Sequence, residues 1–227
     1  GRAKAVELDL ASDLEIPSES SLVEILSSCD VALAAVSYRY NEAIFKAALS
    51  AGTHCVDLGG NNSVVSRQLS MDSDARSAGV SLVPDCGVAP GMVSILSALC
   101  LEEMPSVESI RIRVGGLPIE ARAPLNYQLV FSAEGLINEY KEPVLALQNG
   151  ELVELSPLED LELLEFPEPY GELEAFNTSG GLSTLAESFG NRLANIDYKT
   201  LRYRGHCEIV KALFALGLAE EEPETTR

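Results

Sequence analysis

Short apolar runs alternate with helix-like segments along the first hundred residues, and no other feature restricts the fold as strongly. The run at residues 31–36 is almost wholly apolar, which is typical of a strand covered on both faces of a sheet. Apolar runs at residues 5–10, 54–58 and 80–83 also predict strands, and the segments between the runs have helical periodicity. Strands separated by helices pair in parallel through right-handed crossovers. We therefore expect residues 1–104 to form a doubly wound parallel sheet.

The stretch at residues 83–92 carries the clearest sign of a ligand site. It leaves an apolar strand, passes through a turn-rich loop and enters a strongly apolar, helix-like segment. Gly87 and Gly91 allow the backbone to approach a ligand closely, and Pro90 stiffens the loop. Ligands of open parallel sheets bind at the carboxyl ends of the strands, which this loop follows. A tight strand–helix connection without a ligand is the alternative.

The second half has a different texture, with strand-like alternation and a hairpin turn at Asn149 and Gly150. Strands are predicted at residues 109–115, 127–131, 144–148, 152–155, 161–166 and 173–176, and a short helix at 133–140. We expect a separate α+β domain over residues 105–204, built on a mixed or antiparallel sheet. Residues 205–227 contain an amphipathic helix that we expect to pack back on the first domain, because its apolar side chains need cover.

Charge and composition disfavour several classes of protein. A formal net charge of −19 argues against nucleic acid and membrane surfaces as partners, since both are bound by clustered Lys and Arg. The sequence has no apolar stretch long enough to cross a bilayer. Five scattered cysteines without a CxxC pair indicate thiols in a reducing compartment, so we expect a cytoplasmic protein. With only 2 histidines, no metal site is predicted.

Several motifs occur in an order that resembles one enzyme family. They are AspLeuGlyGlyAsn at 57–61, AspCysGlyValAlaProGlyMet at 85–92, ValGlyGlyLeuPro at 114–118, ProLeuAsnTyr at 124–127, GlyLeuIleAsnGluTyr at 135–140, ThrSerGlyGlyLeuSerThrLeu at 178–185 and ThrLeuArgTyrArgGlyHis at 200–206. Together they make nearly the whole chain resemble the saccharopine dehydrogenase-like oxidoreductases, and most closely the lysine 6-dehydrogenase branch.

The sequence departs from that family in two respects. Such enzymes begin with a strand, a GxGxxG turn and a helix that hold the pyrophosphate of a dinucleotide, and this sequence has no such motif. Arg204 also stands where proline is usual, and Leu182 where threonine is usual. By comparison with the family, the chain starts near the third strand of the cofactor domain. We therefore expect residues 1–227 alone to bind NAD poorly.

The resemblance implies a partial Rossmann domain at residues 1–104, a substrate-binding and dimerisation domain at 105–204, and a homodimer or larger assembly. It implies that an amino-acid substrate, lysine, gives hydride from its ε-carbon to NAD or NADP and that the imine is hydrolysed to a semialdehyde. Saccharopine dehydrogenase, with a larger secondary-amine substrate, is the alternative. A third hypothesis is a non-catalytic fragment or interaction protein without a complete cofactor site, which the coding region upstream of Gly1 would test.

The strand ends and the resemblance together indicate residues that would contact the cofactor. They are Asp9, Val36, Ser37, Tyr38, Gly59, Gly60, Asn61, Val88, Ala89 and Pro90. Asp9 equally suits a turn, and residues 36–38 equally suit the entry to a helix.

Three residues are candidates for proton chemistry. Asp57 and Asp85 follow strands at the predicted ligand edge, where either could attract the substrate ammonium or accept its proton. The alternative for both is a loop or helix cap. His206 could carry a proton because its ordinary pKa lies near neutrality, and its alternative is a cap or packing role.

The substrate itself carries a carboxylate, which a guanidinium binds in bidentate fashion. Arg202 is our choice for this clamp, Arg122 and Arg204 compete with it, and exposed ion pairs are the alternative for all three. The other residues predicted to bind substrate are Tyr127, for which core packing is the alternative, and Thr178, Ser179 and Gly180, which suit an oxygen-binding loop or a helix N-cap.

Overall fold

The computed structural model describes residues 4–13 and 21–220 and divides into two compact units, residues 1–92 and residues 93–227. The division lies nearer the amino terminus than the predicted boundary at residues 104 and 105. The reason is that the apolar helix after the 83–92 stretch, Met92–Glu103, belongs almost entirely to the second unit.

The first unit contains a three-stranded parallel sheet in the order β1-β2-β3. Its elements are α1 Leu10–Asp13, α2 Ser21–Leu26, β1 Val31–Ala34, a 3-10 helix Tyr38–Tyr40, α3 Asn41–Ala51, β2 His54–Asp57, α4 Asn62–Leu69, α5 Asp72–Ala78 and β3 Leu82–Val83. The parallel pairing confirms the strand–helix alternation seen in the sequence. The strand predicted at residues 5–10 is wrong, because the Asp9 carboxylate accepts the Ala11 N–H and starts α1 instead.

The core of the first unit lies on one face of the sheet. Phe45 and Ala48 of α3 pack there with Ala34 and Cys55 from the strands. On the other face of β1, Val31 and Leu33 are 60% and 61% exposed. The described residues therefore show helix cover on one side of β1 rather than the two layers of a doubly wound sheet.

The second unit is built on a mixed six-stranded sheet. Its elements are α6 Met92–Glu103, β4 Ser109–Val114, α7 Ala133–Lys141, β5 Val144–Gln148, β6 Glu151–Leu155, β7 Glu162–Phe166, β8 Gly171–Asn177, α8 Leu185–Phe189, β9 Asn195–Tyr203 and α9 His206–Ala215. The strand order is β6-β5-β9-β8-β7, and β4 pairs in parallel with β9. This agrees with the expected α+β unit. The strand predicted at residues 127–131 is absent from the described elements, and the sequence analysis missed β9.

Helix α9 packs on the sheet of its own unit. Cys207 and Val210 are buried with Phe176 of β8 and Tyr140 of α7. The buried carboxylate of Glu174 accepts the backbone N–H groups of Gly205 and Cys207 at 2.8 and 2.6 Å, which caps the first turn. The buried face of the helix thus has cover within the second unit, in place of the first domain that we had expected. None of the helices in residues 4–13 and 21–220 has the length and apolarity needed to span a bilayer.

Candidate functional site

Asp57 ties together the two loops that leave β2 and β3, here called the strand-end loops (residues 57–61 and 83–91). Its side chain is fully buried. Oδ1 accepts the backbone N–H groups of Gly59 at 2.7 Å and Asp85 at 3.2 Å, and Oδ2 accepts Nε2 of Gln68 at 2.5 Å. Both oxygens are therefore engaged with the protein itself. This geometry favours the loop-capping alternative for Asp57 over a role in proton transfer.

Asp85 lies across the first strand-end loop. A Cβ added to Gly59 would clash with Oδ1 of Asp85 and lie 2.8 Å from Cγ of Pro90, so the loops can meet only because residue 59 has no side chain. Asp85 itself has a φ of 62°, in the left-handed region that Asp tolerates better than most residues. Gly59 is thus packed against both Asp85 and Pro90, and all three residues were predicted at the ligand edge.

Some of the remaining cofactor candidates lie at the ligand edge, and Asn61 has a structural role instead. Tyr38 lies beside Gly60, whose added Cβ would be 3.7 Å from the Tyr38 ring, and Val36 and Val88 are exposed. Asn61 instead caps α4, since its side chain accepts the Val64 N–H.

Several candidates have lesser or different local roles. Ser37 precedes the 3-10 helix and Ala89 is half-buried, while Asp9 caps α1 in a different part of the unit. At this edge the apolar side chains of Val36 and Val88 are exposed beside the bare backbone of Gly60. A pyrophosphate needs a glycine turn before a helix, which this sequence does not contain.

A buried hydrogen-bond chain crosses the second unit. His206 Nδ1 lies 3.0 Å from the carbonyl oxygen of Leu125, and because a carbonyl can only accept, Nδ1 carries the proton. His206 Nε2 is then the acceptor for the Tyr140 hydroxyl at 3.0 Å, and the same hydroxyl oxygen accepts Arg202 Nε at 3.0 Å. These residues, with Tyr127 and Glu139, are called the Arg202 cluster below.

His206 is held neutral in this chain. Burial lowers its pKa to about 4, the Leu125 carbonyl opposes that shift, and Arg202 adds to it. The ring is stacked on Phe176 with a centroid distance of 6.4 Å and meets the edge of Tyr127 at 5.3 Å. With its lone pair occupied by Tyr140, His206 is placed for the packing role rather than for carrying protons. Burial raises the pKa of Tyr140 as well, so both partners are uncharged at neutral pH.

Arg202 is the cation at the centre of the cluster, and 4% of its side chain is exposed. Nε is bonded to Tyr140, and Nη1 donates to the carbonyl of Leu201 at 3.0 Å. Nη2 lies 3.8 Å from Oε2 of Glu139, which is close enough for an ion pair but too long for a hydrogen bond. Within residues 4–13 and 21–220, one edge of the guanidinium is therefore not saturated by hydrogen bonds.

Tyr127 lies under Arg202, with the guanidinium carbon 4.6 Å from the ring centroid. Its hydroxyl oxygen is buried and has no hydrogen-bond partner in the part of the chain that the structure describes. Burial raises the pKa of Tyr127, Arg202 opposes the shift and Glu139 adds to it. A buried hydroxyl without a partner costs free energy, which a ligand oxygen beside Arg202 would recover.

Glu139 is a candidate site residue that the sequence analysis missed. Burial raises its pKa to about 7 against the opposing effect of Arg202, although 30% of the side chain is exposed. Its motif, residues 135–140, was recognised, and the two polar residues Glu139 and Tyr140 at its end were the available signal. Nothing in the local pattern indicated that an arginine 63 positions further on, in β9, would be the partner of the carboxylate.

The predicted oxygen-binding loop braces the cluster. Thr178 is buried and shares a 2.7 Å hydrogen bond with Thr200. The Ser179 hydroxyl donates to Asn138 O at 3.2 Å and its N–H to Glu139 O at 2.9 Å, while Gly180 follows with a φ of 84°. The Ser179 bonds hold the end of α7 and the Thr178 bond holds the loop to β9, so the residues act neither as an N-cap nor as an open loop.

The two competing arginines lie elsewhere in the second unit. Arg204 forms an exposed ion pair with Glu172 at 2.6 Å, which is the alternative role given above. Arg122 is exposed, and its carbonyl accepts the Asn126 N–H at 2.9 Å. Of the three candidates for a carboxylate clamp, Arg202 is the one that sits among buried polar groups.

Comparison with known proteins relates the chain to one family over residues 87–227. The saccharopine dehydrogenase C-terminal domain matches residues 87–227. A saccharopine dehydrogenase [NADP(+), L-glutamate-forming] of Schizosaccharomyces pombe is 24% identical over 219 residues, which cover 92% of this chain and 47% of the relative. The mitochondrial α-aminoadipic semialdehyde synthase of Rattus norvegicus is 22% identical over 90% of this chain and 23% of its own length.

A solved structure has a similar fold. Apo saccharopine dehydrogenase (L-Glu forming) of Saccharomyces cerevisiae superposes with a TM-score of 0.73 at 21% identity, covering 97% of this chain and 49% of that one. The chain thus spans about half the length, or less, of the relatives that it matches.

Proposed function

The chain belongs to the saccharopine dehydrogenase C-terminal domain family, and from that premise we propose that it is part of an NADP-linked dehydrogenase of the saccharopine type. Its relatives are named for an L-glutamate-forming reaction and for the synthesis of α-aminoadipic semialdehyde. An amine that yields glutamate and an aldehyde is a secondary amine, oxidised to an imine that water then cleaves. A bound nicotinamide cofactor would supply the hydride-accepting chemistry.

The observation that carries the proposal, beyond family membership, is the unsaturated edge of Arg202 beside the unpaired hydroxyl of Tyr127. A substrate that contains glutamate brings carboxylates, and a guanidinium binds a carboxylate more tightly than any neutral group does. The Tyr127 hydroxyl would donate to the second carboxylate oxygen. In this proposal Arg202 and Tyr127 hold and orient one end of the substrate, and the brace at residues 178–180 keeps α7 in place.

The saccharopine alternative is better supported than the lysine 6-dehydrogenase reaction that the sequence motifs suggested. The relatives compared above are named for saccharopine or for α-aminoadipic semialdehyde. A panel of lysine and saccharopine, each with NAD and with NADP, tests the choice on the full-length protein. We expect saccharopine with NADP to give the highest kcat/KM, and preferential turnover of lysine would reverse the assignment.

The proposed cofactor contacts are Tyr38, Gly60 and Val88 at the edge of the first sheet. We expect the full-length protein to bind NADP and residues 1–227 alone to bind it poorly, because the pyrophosphate turn is not in this sequence. Micromolar affinity of residues 1–227 for NADP in calorimetry would contradict this expectation. Absence of turnover with any substrate of the panel would favour the non-catalytic alternative. Homodimer formation is a further proposal, which light scattering at micromolar concentration tests.

The role of Arg202 is tested by Arg202→Lys in the full-length protein. Lys offers a point charge where the planar guanidinium offers two parallel donors, so we expect the KM for saccharopine to rise about ten- to a hundredfold. The KM for NADP should change little. Arg204→Lys is the matched control, because its ion pair with Glu172 is exposed, and it should leave both constants unchanged. If the two variants behave alike, Arg202 does not bind the substrate.

A further inference from the structure

Glu139 and Arg202 form an ion pair that a bound carboxylate would disturb. The two groups are 3.8 Å apart, and no hydrogen bond fixes them to each other. A ligand carboxylate that uses Nη2 of Arg202 and the hydroxyl of Tyr127 would enter beside Glu139. One guanidinium would then face two carboxylates in a largely buried place, where like charges repel strongly.

Among the residues that the structure describes, Arg202 is the cation that acts on Glu139, while Lys141 of the same helix donates to the carbonyl of Ala219 and pairs with Glu220. The other titratable groups near Glu139 come from three elements and one loop. They are Tyr198 of β9, His206 of α9, Tyr140 of α7 and Tyr127 of the loop before α7. Glu174 of β8 pairs across the sheet with Arg202, and its carboxylate is occupied by the N-terminus of α9. Burial keeps His206 neutral and the three tyrosines protonated. Glu139 is thus the group near the cluster that can change its charge.

Its position also gives Glu139 access to water. The side chain is 30% exposed, whereas Arg202 is 4% exposed, so a proton can reach Glu139 from solvent while the guanidinium stays covered. The backbone carbonyl of Glu139 accepts the Ser179 N–H at 2.9 Å, which fixes the end of α7. Protonation of Glu139 therefore relieves the repulsion more easily than a movement of α7 does.

We propose that Glu139 takes up one proton from solvent when a carboxylate ligand binds to Arg202 and Tyr127. The ligand replaces Glu139 as the counter-ion of Arg202, the Glu139 carboxylate becomes a neutral carboxyl group, and the net charge of the cluster is the same before and after binding. This proposal rests on the proposed function, which supplies the carboxylate-bearing substrate. It makes Glu139 a residue that sets the pH dependence of substrate affinity without touching the reacting atoms.

An unusual signature follows for the variant Glu139→Gln. Because Glu139 in the free protein has a pKa of about 7, the wild type must protonate it at pH 8 before the ligand binds well. The amide is already neutral, so at pH 8 the KM for saccharopine should fall about tenfold in Glu139→Gln, with kcat unchanged. In the wild type the same KM should rise by up to about tenfold per pH unit above 7, and in the variant it should be nearly flat.

Calorimetry counts the proton directly. Titration of saccharopine into the full-length protein at pH 8, in phosphate and in Tris, gives the proton uptake from the dependence of the heat on the ionisation enthalpy of the buffer. We expect about half to one proton more per ligand in the wild type than in Glu139→Gln. Glu154→Gln, an exposed carboxylate on β6, is the matched control and should behave as the wild type does.

Each outcome has one meaning. Proton uptake that disappears in Glu139→Gln, together with the lower KM, supports the proposal. Equal uptake in wild type and variant, or a higher KM in the variant, overturns it, because a carboxylate that binds the substrate ammonium or supports the fold would give that result. If saccharopine neither binds nor is oxidised, the proposed function fails and this proposal with it. If saccharopine is oxidised without uptake, only this proposal fails.

Discussion

Asp57 in the first unit and Glu139 in the second are carboxylates held in opposite ways. In the first unit Asp57 has two backbone N–H donors and one side-chain amide around it, and all of them are neutral. In the second unit Glu139 has one charged partner at 3.8 Å, and its side chain is partly exposed. The first carboxylate is saturated by hydrogen bonds, whereas the second is balanced by a charge. A carboxylate whose oxygens both accept hydrogen bonds stabilises the fold. A carboxylate held only by an opposite charge can change its protonation state when a ligand binds.

The largest effect is expected from Asp57→Ala. Removal of the carboxylate leaves the N–H groups of Gly59 and Asp85 and the amide of Gln68 without their acceptor, each at a cost of about 1–3 kcal/mol. We expect the free energy of unfolding to fall by roughly 3–5 kcal/mol in urea denaturation. Asp30→Ala, at an exposed position before β1, should change it by less than about 0.5 kcal/mol.

Asp57→Asn sharpens the same test. Its remaining oxygen can accept the two backbone N–H groups, and its new NH₂ group can donate to Gln68, whose Oε1 is buried without a partner among the described residues. A turn of the Gln68 amide would make that bond. We expect Asp57→Asn to lose less than half as much stability as Asp57→Ala. An equal loss would mean that the charge of Asp57 matters, and the contrast between the two units would not hold.

The next effect is a pH dependence in which two groups oppose each other. The pKa of His206 falls from 6.5 to about 4 on folding, so between these pH values the unfolded chain binds more protons and stability rises with pH. The pKa of Glu139 rises from 4.5 to about 7, so between those values the folded chain binds more protons and stability falls with pH. Over the shared window, pH 4.5 to 6.5, the two contributions offset each other in the wild type.

Single variants should separate these contributions. Relative to the wild type, Glu139→Gln loses the Glu139 contribution, so its unfolding free energy should gain a rise of up to roughly 3 kcal/mol between pH 4.5 and 7. His206→Gln should show the reverse, a relative decline between pH 4 and 6.5. Urea denaturation at a series of pH values measures both. Parallel profiles for the two variants would show that the Arg202 cluster does not titrate in this way.

The smallest effect concerns packing beneath the cluster. A Cβ on Gly181 would clash with the ring of Tyr198, so Gly181→Ala should lower the unfolding free energy by about 1–3 kcal/mol. Gly116→Ala is the control, because its Cβ would lie 3.6 Å from Cγ2 of Val130, an ordinary contact. Tyr198→Leu in the same chain should relieve the clash, so that the double variant loses less than the sum of the single ones. Additive losses would contradict this explanation.

The sequence predicted the first unit better than the second because the signals there are local. Helix α3 ends at Gly52, which has a φ of 70° that glycine adopts most easily. Gly59 can contact Asp85 because glycine has no side chain. The apolar pattern of β1 predicted two covered faces, but exposure of Val31 and Leu33 depends on which elements pack there, and a strand alone does not contain that information.

The Arg202 cluster was only half predictable for the same reason. Arg202 could be chosen from its chemistry, and Tyr127 from its motif. The pairing of Arg202 with Glu139 joins β9 to α7, and the tautomer of His206 is set by the backbone carbonyl of residue 125. Such contacts arise from tertiary packing, which has no period along the chain. The strand β9 escaped prediction because Lys199 and Arg202 are polar, although both are buried.

The alternation of β9 has a consequence for how this chain can change. Arg202 and Thr200 point to the face that carries Tyr140 and Thr178, whereas Leu201 belongs to the apolar cluster on the opposite face. Loss or gain of a single residue within Asn195–Tyr203 would exchange the two sets, placing a leucine against Tyr140 and a guanidinium among leucines. Related chains can therefore differ along this strand in the identity of a residue but not in length, and insertions belong instead at open turns such as Asn149 and Gly150.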